Sequence, residues 1–395
     1  MRRSALRVLT AAALTISALA AAPATAAQVE PGAAHQRAAD PLQIRIGTYN
    51  INVRASTETL KRAVSQVKPY VDVLGLQEIT TMAKTRWLLS ADRNWGYYNP
   101  PQARQNPVIW DRNQLDFLSG RAVKLSNPRK VERRKRGGAV VAGRNWATVV
   151  HLFHRATGQR ISFINVHLVH GAVSNGAPAK GRPKAFRLYR SQLAKVVRAA
   201  KSERSVSDQV YVLGDFNSGY EADAKHKRKK LPVKRFRKIG FKPMWKGSSL
   251  LPKRYGTHGA ALLDYVWNPD RPVSTQILKS VRGSDHRPAV ATYRLPAPDP
   301  TYVAPTGSIG FAGAPPVRNE YTRVTGKYVE VELTGELSHG YATVRLNPEA
   351  STAEVGKDLY IDDSSYLAGS RTIYLKINKD KTREPDETYT LELVD

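Results

Sequence analysis

The chain has 395 residues and no cysteine, so it is too long for one ordinary domain and can form neither a disulfide nor a zinc–thiolate site. Its formal net charge of +29 is unevenly distributed, because residues 1–304 carry +34 and residues 305–395 carry −5. A basic region of this size favours a polyanionic partner such as nucleic acid, teichoic acid or an anionic membrane. Cationic solubility and cell-wall retention are the alternatives.

The first residues have the pattern of a targeting sequence. Three arginines precede an apolar run from Val8 to Ala22, and three small residues follow at 24–26. The run is too short for a membrane span, so it predicts a secretory signal peptide over residues 1–26. We therefore expect a protein that is secreted, either released or associated with the cell wall, with a disordered linker at 27–42.

The next part of the chain alternates strand and helix patterns. Residues 44–50 read as a strand, Ser56–Lys68 has the apolar spacing of a helix, and Val71–Leu76 reads as a second strand. Two more apolar runs, Val108–Trp110 and Leu115–Leu118, are separated by a short polar turn and predict a hairpin.

The pattern continues through the basic region. Trp146–Phe153 and Arg160–Val166 predict a paired hairpin, and Pro183–Ala200 predicts a helix. Val210–Leu213 is continuously apolar and predicts a strand buried on both faces. Two further strands are expected at 262–267 and 289–293.

Polar side chains follow most of these apolar runs. Asp215 and Asn217 come directly after the central strand, where the pair also fits an ordinary Asx turn. The full set of candidate site residues, most of which stand at the ends of apolar runs, is Asn50, Glu78, His167, Asp215, Asn217, Asp264, Asp285 and His286. Carboxylate and amide oxygens without thiols suit Mg²⁺, Mn²⁺ or Ca²⁺, and a histidine beside an acid supplies a general base.

These residues lie in short motifs that resemble those of the endonuclease/exonuclease/phosphatase superfamily. That superfamily includes pancreatic-type deoxyribonucleases, abasic-site endonucleases, sphingomyelinases and inositol polyphosphate phosphatases. The motifs, in the order typical of the superfamily, are Thr48-Tyr49-Asn50, Leu76-Gln77-Glu78, Asn165-Val166-His167-Leu168, Gly214-Asp215-Phe216-Asn217, Leu263-Asp264-Tyr265 and Ser284-Asp285-His286-Arg287-Pro288. The resemblance covers about residues 43–296 and implies a four-layer α/β sandwich with its site at one end of two packed sheets.

The resemblance also implies roles for the individual residues. Glu78 would be the principal ligand of Mg²⁺ or Mn²⁺, assisted by Asn50 and Asp285. Asp264 would orient His286 as the base that activates water. The remaining residues would contact the water and the phosphate, Asp215 and Asn217 by holding the attacking water and one phosphate oxygen, and His167 by contacting the phosphate or aiding the leaving group.

Each of these residues also has a plain structural interpretation. Asn50 could cap a turn, and His167 could be a core histidine with its hydrogen bonds satisfied. The other histidines, namely His151, His154, His170, His226 and His258, lie outside the motifs and are interpreted as surface or structural residues.

Basic residues are concentrated in Lys225–Lys238, which contains nine lysines or arginines. The segment is either a solvated loop or a patch that follows phosphates, and its position after the Asp215 motif favours the second interpretation. We take Lys227, Arg228, Lys229 and Lys230 as candidate substrate-binding residues. Arg133–Arg136 forms a second basic cluster.

Beyond a Pro-rich linker at 297–306, short alternating runs predict a small antiparallel β-sandwich over 307–395. It resembles a Calx-beta module at Val355–Asp358, Leu367–Leu375 and Glu384–Tyr389. Two lysines in Asn378–Lys381 stand where that family carries acidic residues, which weighs against calcium. Four acids remain as candidate ligands of one weak site, Asp358, Asp380, Asp386 and Glu387, and a structural or adhesive role is the alternative.

These observations favour a secreted, divalent-metal-dependent phosphodiesterase of α/β fold that acts as a monomer on nucleic acid, with DNA as the expected substrate. A sphingomyelinase of the phospholipase C type, or a phosphatase of inositol or sugar phosphates, would use the same catalytic residues. A non-catalytic adhesion protein is the alternative from another class, and the complete set of acids and histidines argues against it.

Overall fold

The computed structural model describes residues 42–90, 94–133, 138–246 and 256–298 continuously, and seven short segments beyond them. Those segments are 309–311, 328–335, 343–347, 350–352, 359–361, 372–377 and 390–394. The predicted signal peptide and most of the Pro-rich linker lie outside the described residues. None of the helices described is long and apolar enough to cross a membrane.

The described part of the basic region alternates helices and strands. Its α-helices are α1 Thr57–Val67, α2 Met82–Ser90, α3 Pro183–Glu203, α4 Tyr220–His226 and α5 Pro232–Arg237. Its strands are β1 Gln43–Asn50, β2 Val73–Gln77, β3 Trp95–Tyr98, β4 Val108–Asp111, β5 Leu115–Ser126, β6 Arg129–Glu132, β7 Ala139–Ala142, β8 Asn145–His154, β9 Gln159–His167, β10 Val173–Ser174, β11 Ala177–Pro178, β12 Gln209–Asp215, β13 Lys242–Pro243, β14 Asp264–Asn268, β15 Ser274–Ile277 and β16 Ala289–Arg294. Short 3₁₀ turns follow α1 at Lys68–Tyr70 and β3 at Pro101–Ala103.

The longer strands form two six-stranded sheets. The first has the order β15-β16-β1-β2-β4-β3, and the second has the order β13-β14-β12-β9-β8-β5. Neighbours are antiparallel except for β1 with β2 and β9 with β12, which are parallel. Each sheet therefore has a parallel pair at its centre, and β6–β7 and β10–β11 form separate two-stranded ribbons.

The two sheets pack face to face, and the alternation along β1 shows how. Ile44 and Ile46 belong to the core that joins the two sheets and α3, whereas Tyr49 belongs to the core shared with α1. Side chains one residue apart on a strand point to opposite faces, so β1 is buried on both sides. The predicted mixed α/β fold with two packed sheets is confirmed.

Helix α1 covers the outer face of the first sheet for reasons visible in its sequence. The Ser56 hydroxyl accepts the Thr59 N–H over 3.1 Å, an N-terminal cap that typically contributes about 1 kcal/mol. Leu60, Val64 and Val67 lie one helical turn apart and are fully buried. The helix predicted at Ser56–Lys68 is therefore confirmed to within one residue at each end.

The predicted hairpin of Val108–Trp110 with Leu115–Leu118 is wrong. Strand β4 pairs with β2 and β3 in the first sheet, whereas β5 pairs with β8 in the second. The turn between them carries the chain from one sheet to the other. Both strands are apolar because both are buried, and the apolar pattern does not distinguish strands that pair from strands that pack face to face.

The described strands of the last part of the chain are all antiparallel. They are β17 Ile309–Phe311, β18 Tyr328–Gly335, β19 Thr343–Leu346, β20 Leu359–Ile361, β21 Thr372–Ile377 and β22 Leu391–Val394, in the sheets β17-β18-β21-β20 and β19-β22. The four candidate calcium ligands and most of the Calx-beta motif lie outside the described residues. A β-sandwich of that type stays a prediction.

Candidate active site

The predicted site residues converge because the strands that carry them end at the same side of the two sheets. In the second sheet, Asp215 at the end of β12 is in register with His167 of β9 and with Asp264, the first residue of antiparallel β14. In the first sheet, Asn50 ends β1 beside Gln77 of β2. The segment that leads into β16 brings Asp285 and His286 to the same edge, since β16 runs antiparallel to β1.

Asp215 lies at the centre of this group, and its two oxygens have different surroundings. Its Oδ1 accepts the backbone N–H of Asn217 over 2.8 Å, which is the Asx turn that the sequence allowed. Its Oδ2 lies 3.1 Å from Asn217 Nδ2 and 3.2 Å from Asn50 Nδ2, both of which donate to it. The same oxygen is 3.5 Å from His167 Nε2 and 3.8 Å from His286 Nε2. The structural turn and the functional cluster thus use one carboxylate.

His286 is held by Asp264. Its Nδ1 is 2.9 Å from Asp264 Oδ2, and the Asp264 carboxylate is fully buried. Thr257 supports this acid, since its hydroxyl accepts the Asp264 N–H over 3.2 Å. Burial disfavours the imidazolium, but the negative charges of Asp264, Asp215 and Asp285 outweigh it and raise the pKa of His286 to about 10. The ring is oriented with Nε2 toward Asp215.

Burial also raises the pKa of the Asp215 carboxyl, and the negative charge of Asp264 acts in the same direction. His286 and His167 oppose this shift through their positive charge. Asp215 and His286 therefore influence each other's protonation.

Glu78 follows β2 in a left-handed conformation, with φ of 65°. Its Oε1 accepts from Asn50 Nδ2 over 3.1 Å and lies 3.8 Å from His167 Nε2, and its Oε2 accepts the Val53 N–H. A glutamate in this region of φ is strained, and such strain is typical of functional sites. The turn directs a partly exposed carboxylate into the cluster.

Asn52 is a member of the site that sequence reasoning missed. It also has a positive φ, of 67°, and its Nδ2 donates to Asp285 Oδ1 over 2.9 Å. Its own N–H donates to Asn50 Oδ1 over 3.0 Å. Burial would raise the pKa of Asp285, but this hydrogen bond and the charge of His286 lower it. The only sequence signal was a second asparagine two residues beyond Asn50.

Lys84 is a second missed residue. Its side chain is buried, and its Nζ donates to the carbonyls of Asn52 and Val53 over 3.4 and 3.3 Å. Burial lowers the pKa of this ammonium, and the nearby charge of Glu78 opposes that effect. Lys84 thereby holds the loop that hydrogen-bonds to Glu78 and Asp285.

His258, interpreted from the sequence as a surface or structural residue, lies next to the cluster. Its Nε2 is 3.5 Å from Asp285 Oδ2, and its ring centroid is 4.7 Å from that of His286. It reaches this position through an isolated β-bridge between His258 and His286. A contact formed between two loops leaves no periodic signal in the sequence. His151, by contrast, bonds Glu203 over 2.6 Å at the other end of β9.

Gly214 explains why the central motif begins with glycine. Its φ is 140°, and a Cβ at this position would lie 1.9 Å from the carbonyl oxygen of Val166. Strand β12 must pass this close to β9 for Asp215 to face His167. A larger residue there would displace one strand from the other.

A buried pair of amides ties the two sheets together beneath the site. Gln77 Nε2 donates to Asn165 Oδ1 over 2.8 Å, and Asn165 Nδ2 donates to the carbonyls of Leu76 and Pro107, each over 2.8 Å. Buried amides of this kind fix one relative position of their surroundings, because any shift would leave polar groups unpaired. These hydrogen bonds therefore fix the distance between β2, which precedes Glu78, and β9, which ends at His167.

The basic segment has no described contact with the catalytic cluster. Lys227, Arg228, Lys229 and Lys230 are exposed and follow α4, which begins three residues after Asn217. The segment is anchored by Asp223, whose Oδ2 accepts the Val233 N–H over 2.8 Å. Burial raises the pKa of Asp223 to about 7, because this hydrogen bond only partly offsets the loss of solvent.

The donor set at the site fits a divalent metal ion. Four carboxylates, those of Glu78, Asp215, Asp264 and Asp285, meet within one cluster. Two groups of side chains could each hold an ion, one made of Asp215, Asp264 and His286 and the other of His258, Asp285 and His286. Asp285 is exposed and Glu78 is partly exposed, and both supply the oxygen donors that hard cations such as Mg²⁺ and Mn²⁺ prefer.

Residues 47–286 match the sequence model of the Endonuclease/Exonuclease/phosphatase family. The chain belongs to this family. The matched range starts within β1 and ends at His286, so it contains every acid, amide and histidine of the cluster described above. Members of the family hydrolyse phosphoric esters, and this is the general activity that the chain is expected to share. No curated protein matches the chain.

Several solved structures are similar to part of the chain. Humanized D. rerio TDP2 has 15% sequence identity and a TM-score of 0.47, covering 63% of this chain and 98% of that one. A family protein from Bacteroides vulgatus has 18% identity and a TM-score of 0.46, covering 64% and 99%. The human Nocturnin catalytic domain with bound sulfate has 16% identity and a TM-score of 0.43, covering 64% and 94%.

Proposed function

We propose that this protein is a divalent-metal-dependent phosphodiesterase that hydrolyses nucleic acid, with DNA as its substrate. The observation that carries the proposal is the arrangement around Asp215 Oδ2. Two amide nitrogens and two imidazole nitrogens lie within 3.8 Å of this one oxygen. Hydrogen-bond acceptors and donors that converge on one point fit the trigonal-bipyramidal transition state of phosphate hydrolysis. In that state the attacking water is bonding to phosphorus while negative charge spreads over the phosphate oxygens.

Glu78 and Asp285 would hold the metal ion, with Asn50 between Glu78 and Asp215. A bound divalent cation supplies Lewis-acid stabilisation of the charge on the phosphate oxygens. Asn52 and Lys84 act one step further out, since they fix the backbone and the carboxylate that the ion needs.

The chain's own residues position the attack. Asp215 and Asn217 orient a water against phosphorus, because the amide of Asn217 and the carboxylate of Asp215 lie side by side. His286, fixed by Asp264, lies within reach of the same water and of a phosphate oxygen. His167, whose Nε2 is 3.5 Å from Asp215 Oδ2, contacts the phosphate or gives a proton to the leaving oxygen. Water adds to phosphorus and gives one proton to the Asp215 carboxylate that orients it, and the bond to the leaving alcohol oxygen breaks as that oxygen takes a proton from His167.

Charge favours nucleic acid over the other phosphate esters. The region that contains the site carries a net +34, and this excess attracts a polyanion over a long range. A single small phosphate ester gains little from charges distributed over a whole domain. The exposed residues Lys227 to Lys230 are proposed to add phosphate contacts near the site. We also propose that the protein is exported, on the basis of the apolar run near its N-terminus.

A substrate panel tests the proposal. The purified protein is incubated with plasmid DNA, single-stranded DNA, RNA, sphingomyelin vesicles and inositol phosphates, each with Mg²⁺ or with EDTA. We expect Mg²⁺-dependent cleavage of DNA and no activity in Asp215→Asn. Hydrolysis of sphingomyelin or inositol phosphates with no cleavage of DNA would replace the proposal with one of the alternative esterases.

A further inference from the structure

A groove of about 540 Å³ opens beside the candidate active site, on the side of His167. Its lining includes residues 101–106 after β3 and residues 140–146, which comprise part of β7, the turn after it and the start of β8. His167 to His170 close the end toward the site. The volume falls in the range of sites that enclose a small organic ligand, roughly 300–1,000 Å³.

The described lining of the groove combines two kinds of surface. Every charged side chain among these lining residues is an arginine or a histidine, and Arg104 and Arg144 are exposed. Next to them, Val140 and Val141 are 44% and 57% exposed, and Trp146 is half-buried. Because these two valines are exposed, they do not contribute to the packing of the domain's core. They fit a ligand that is itself partly anionic and partly flat and apolar.

We propose that this groove binds an unpaired segment of nucleic-acid strand next to the scissile phosphate. The inference rests on the proposed function, which it deepens by naming the form of the substrate. Arg104 and Arg144 contact phosphates of the strand, and Val140, Val141 and Trp146 contact the faces of bases. Bases in a duplex have their faces stacked on one another, so only a single strand or a locally unpaired one can use both surfaces.

The position of the groove supports this occupant. His167 belongs both to its lining and to the cluster around Asp215, so a strand with its phosphate at the site continues directly into the groove. Gln105 is an exposed polar residue of the lining and can hydrogen-bond to a base edge. A preference for unpaired nucleic acid therefore follows from the site's own surroundings and not from the general basic charge.

Binding in EDTA tests the inference without catalysis. Fluorescence anisotropy is measured with a short labelled single-stranded DNA and with the same sequence as a duplex, over a series of salt concentrations. Arg104→Ser/Arg144→Ser should weaken single-strand binding about tenfold at moderate salt and lower the salt slope by about 1.4, since each lost phosphate contact on a single strand removes about 0.7. Val140→Ser/Val141→Ser should weaken it about threefold with an unchanged slope, because base contacts carry no counterions.

Arg198→Ser/Lys201→Ser is the matched control. Both residues are exposed on α3 near Glu203, which bonds Ser162 at the start of β9. His167 is five residue steps beyond Ser162 along β9, a distance of about 17 Å. This variant loses the same charge and should retain wild-type affinity for the single strand.

The outcomes separate the groove from the proposed function. If the protein cleaves DNA and both groove variants bind the single strand like the control, the groove assignment is wrong and the function stands. If the wild type neither binds nor cleaves either form of nucleic acid, the proposed function is wrong, and so is the assignment of a nucleic-acid strand to the groove. If Val140→Ser/Val141→Ser instead impairs only binding to sphingomyelin vesicles, the exposed valines contact lipid.

Discussion

Asp264 Oδ2 lies 2.9 Å from His286 Nδ1, and this contact leaves His286 Nε2 facing Asp215 at 3.8 Å. If the acid and the histidine act as one unit, the loss of either removes the same function. His286→Ala should lower kcat by about a thousandfold, and Asp264→Asn by a similar or smaller factor. The double variant should fall no further than His286→Ala.

Steady-state kinetics of the three variants on one substrate give the coupling directly. Thermal unfolding is measured alongside, because Asp264 is fully buried. Losses that multiply in the double variant would show that Asp264 supports the fold and not the histidine.

Asn52 allows a test that separates backbone conformation from side-chain contact. Its φ of 67° suits glycine, and its amide donates to Asp285. Asn52→Gly keeps the backbone and removes the amide, whereas Asn52→Ala also strains the backbone by about 1 kcal/mol. Both variants should raise the Mg²⁺ concentration for half-maximal activity by about tenfold, the usual effect of losing a residue that orients a ligand.

Only Asn52→Ala should lower the unfolding free energy appreciably. The measurement is Mg²⁺ titration of activity together with denaturant unfolding. A wild-type Mg²⁺ dependence in Asn52→Gly would remove Asn52 from the set of residues that position the metal ligands.

Gly214 predicts a large loss of stability from a single methyl group. Gly214→Ala should destabilise the domain by about 3 kcal/mol, because its Cβ would overlap the Val166 carbonyl and its φ is 140°. Gly219→Ala is the matched control, since nothing lies within 4 Å of a Cβ at that position and its φ is −62°. Chemical denaturation measures both, and equal midpoints would contradict the close approach of β9 and β12.

Asp223 predicts how stability depends on pH. Its folded-state pKa is raised from 3.8 to about 7 by burial, so the folded protein keeps a proton that the unfolded chain releases. Wild-type stability is therefore lost as the pH rises from about 4 through 7. Asp223→Asn has no such dependence, so its stability relative to wild type should improve over this window by up to about 4 kcal/mol.

Unfolding free energies measured at several pH values test this expectation. Glu221→Gln, on the exposed side of the same helix, is the control and should follow the wild type at every pH. A difference between Asp223→Asn and wild type that stays constant from pH 4 to 8 would mean that Asp223 is ionised in the folded protein.

Much of the site was predictable because its residues terminate apolar runs. Asn50, His167 and Asp215 each end a strand and Glu78 directly follows one, and parallel strands that share a sheet bring these ends together. The helix at Ser56 was predictable for a similar reason, since its cap and its apolar spacing are both local. The spacing of apolar residues and the position at which an apolar run ends can both be read directly from a sequence.

Contacts between loops were not predictable in this way. Asn52 and Asp285 are 233 residues apart, and His258 meets His286 through an isolated bridge. Lys84 lies in a helix, where its sequence pattern gives no sign that its ammonium is buried. The placement of β4 and β5 in different sheets was not predictable for the same reason. It depends on long-range packing and not on the local sequence pattern.

Hydrolysis of plasmid DNA by the purified protein tests the central claim most directly, with Glu78→Gln and Glu58→Gln as a matched pair. Glu58 is an exposed carboxylate whose described ion pair is with Lys61, so its loss should change nothing. We predict that the wild type and Glu58→Gln cleave DNA with Mg²⁺, stop in EDTA and resume when Mg²⁺ is restored. Glu78→Gln should be slower by at least about a hundredfold with its thermal stability retained. Full activity in EDTA, or wild-type turnover in Glu78→Gln, would contradict a metal-dependent phosphodiesterase at this site.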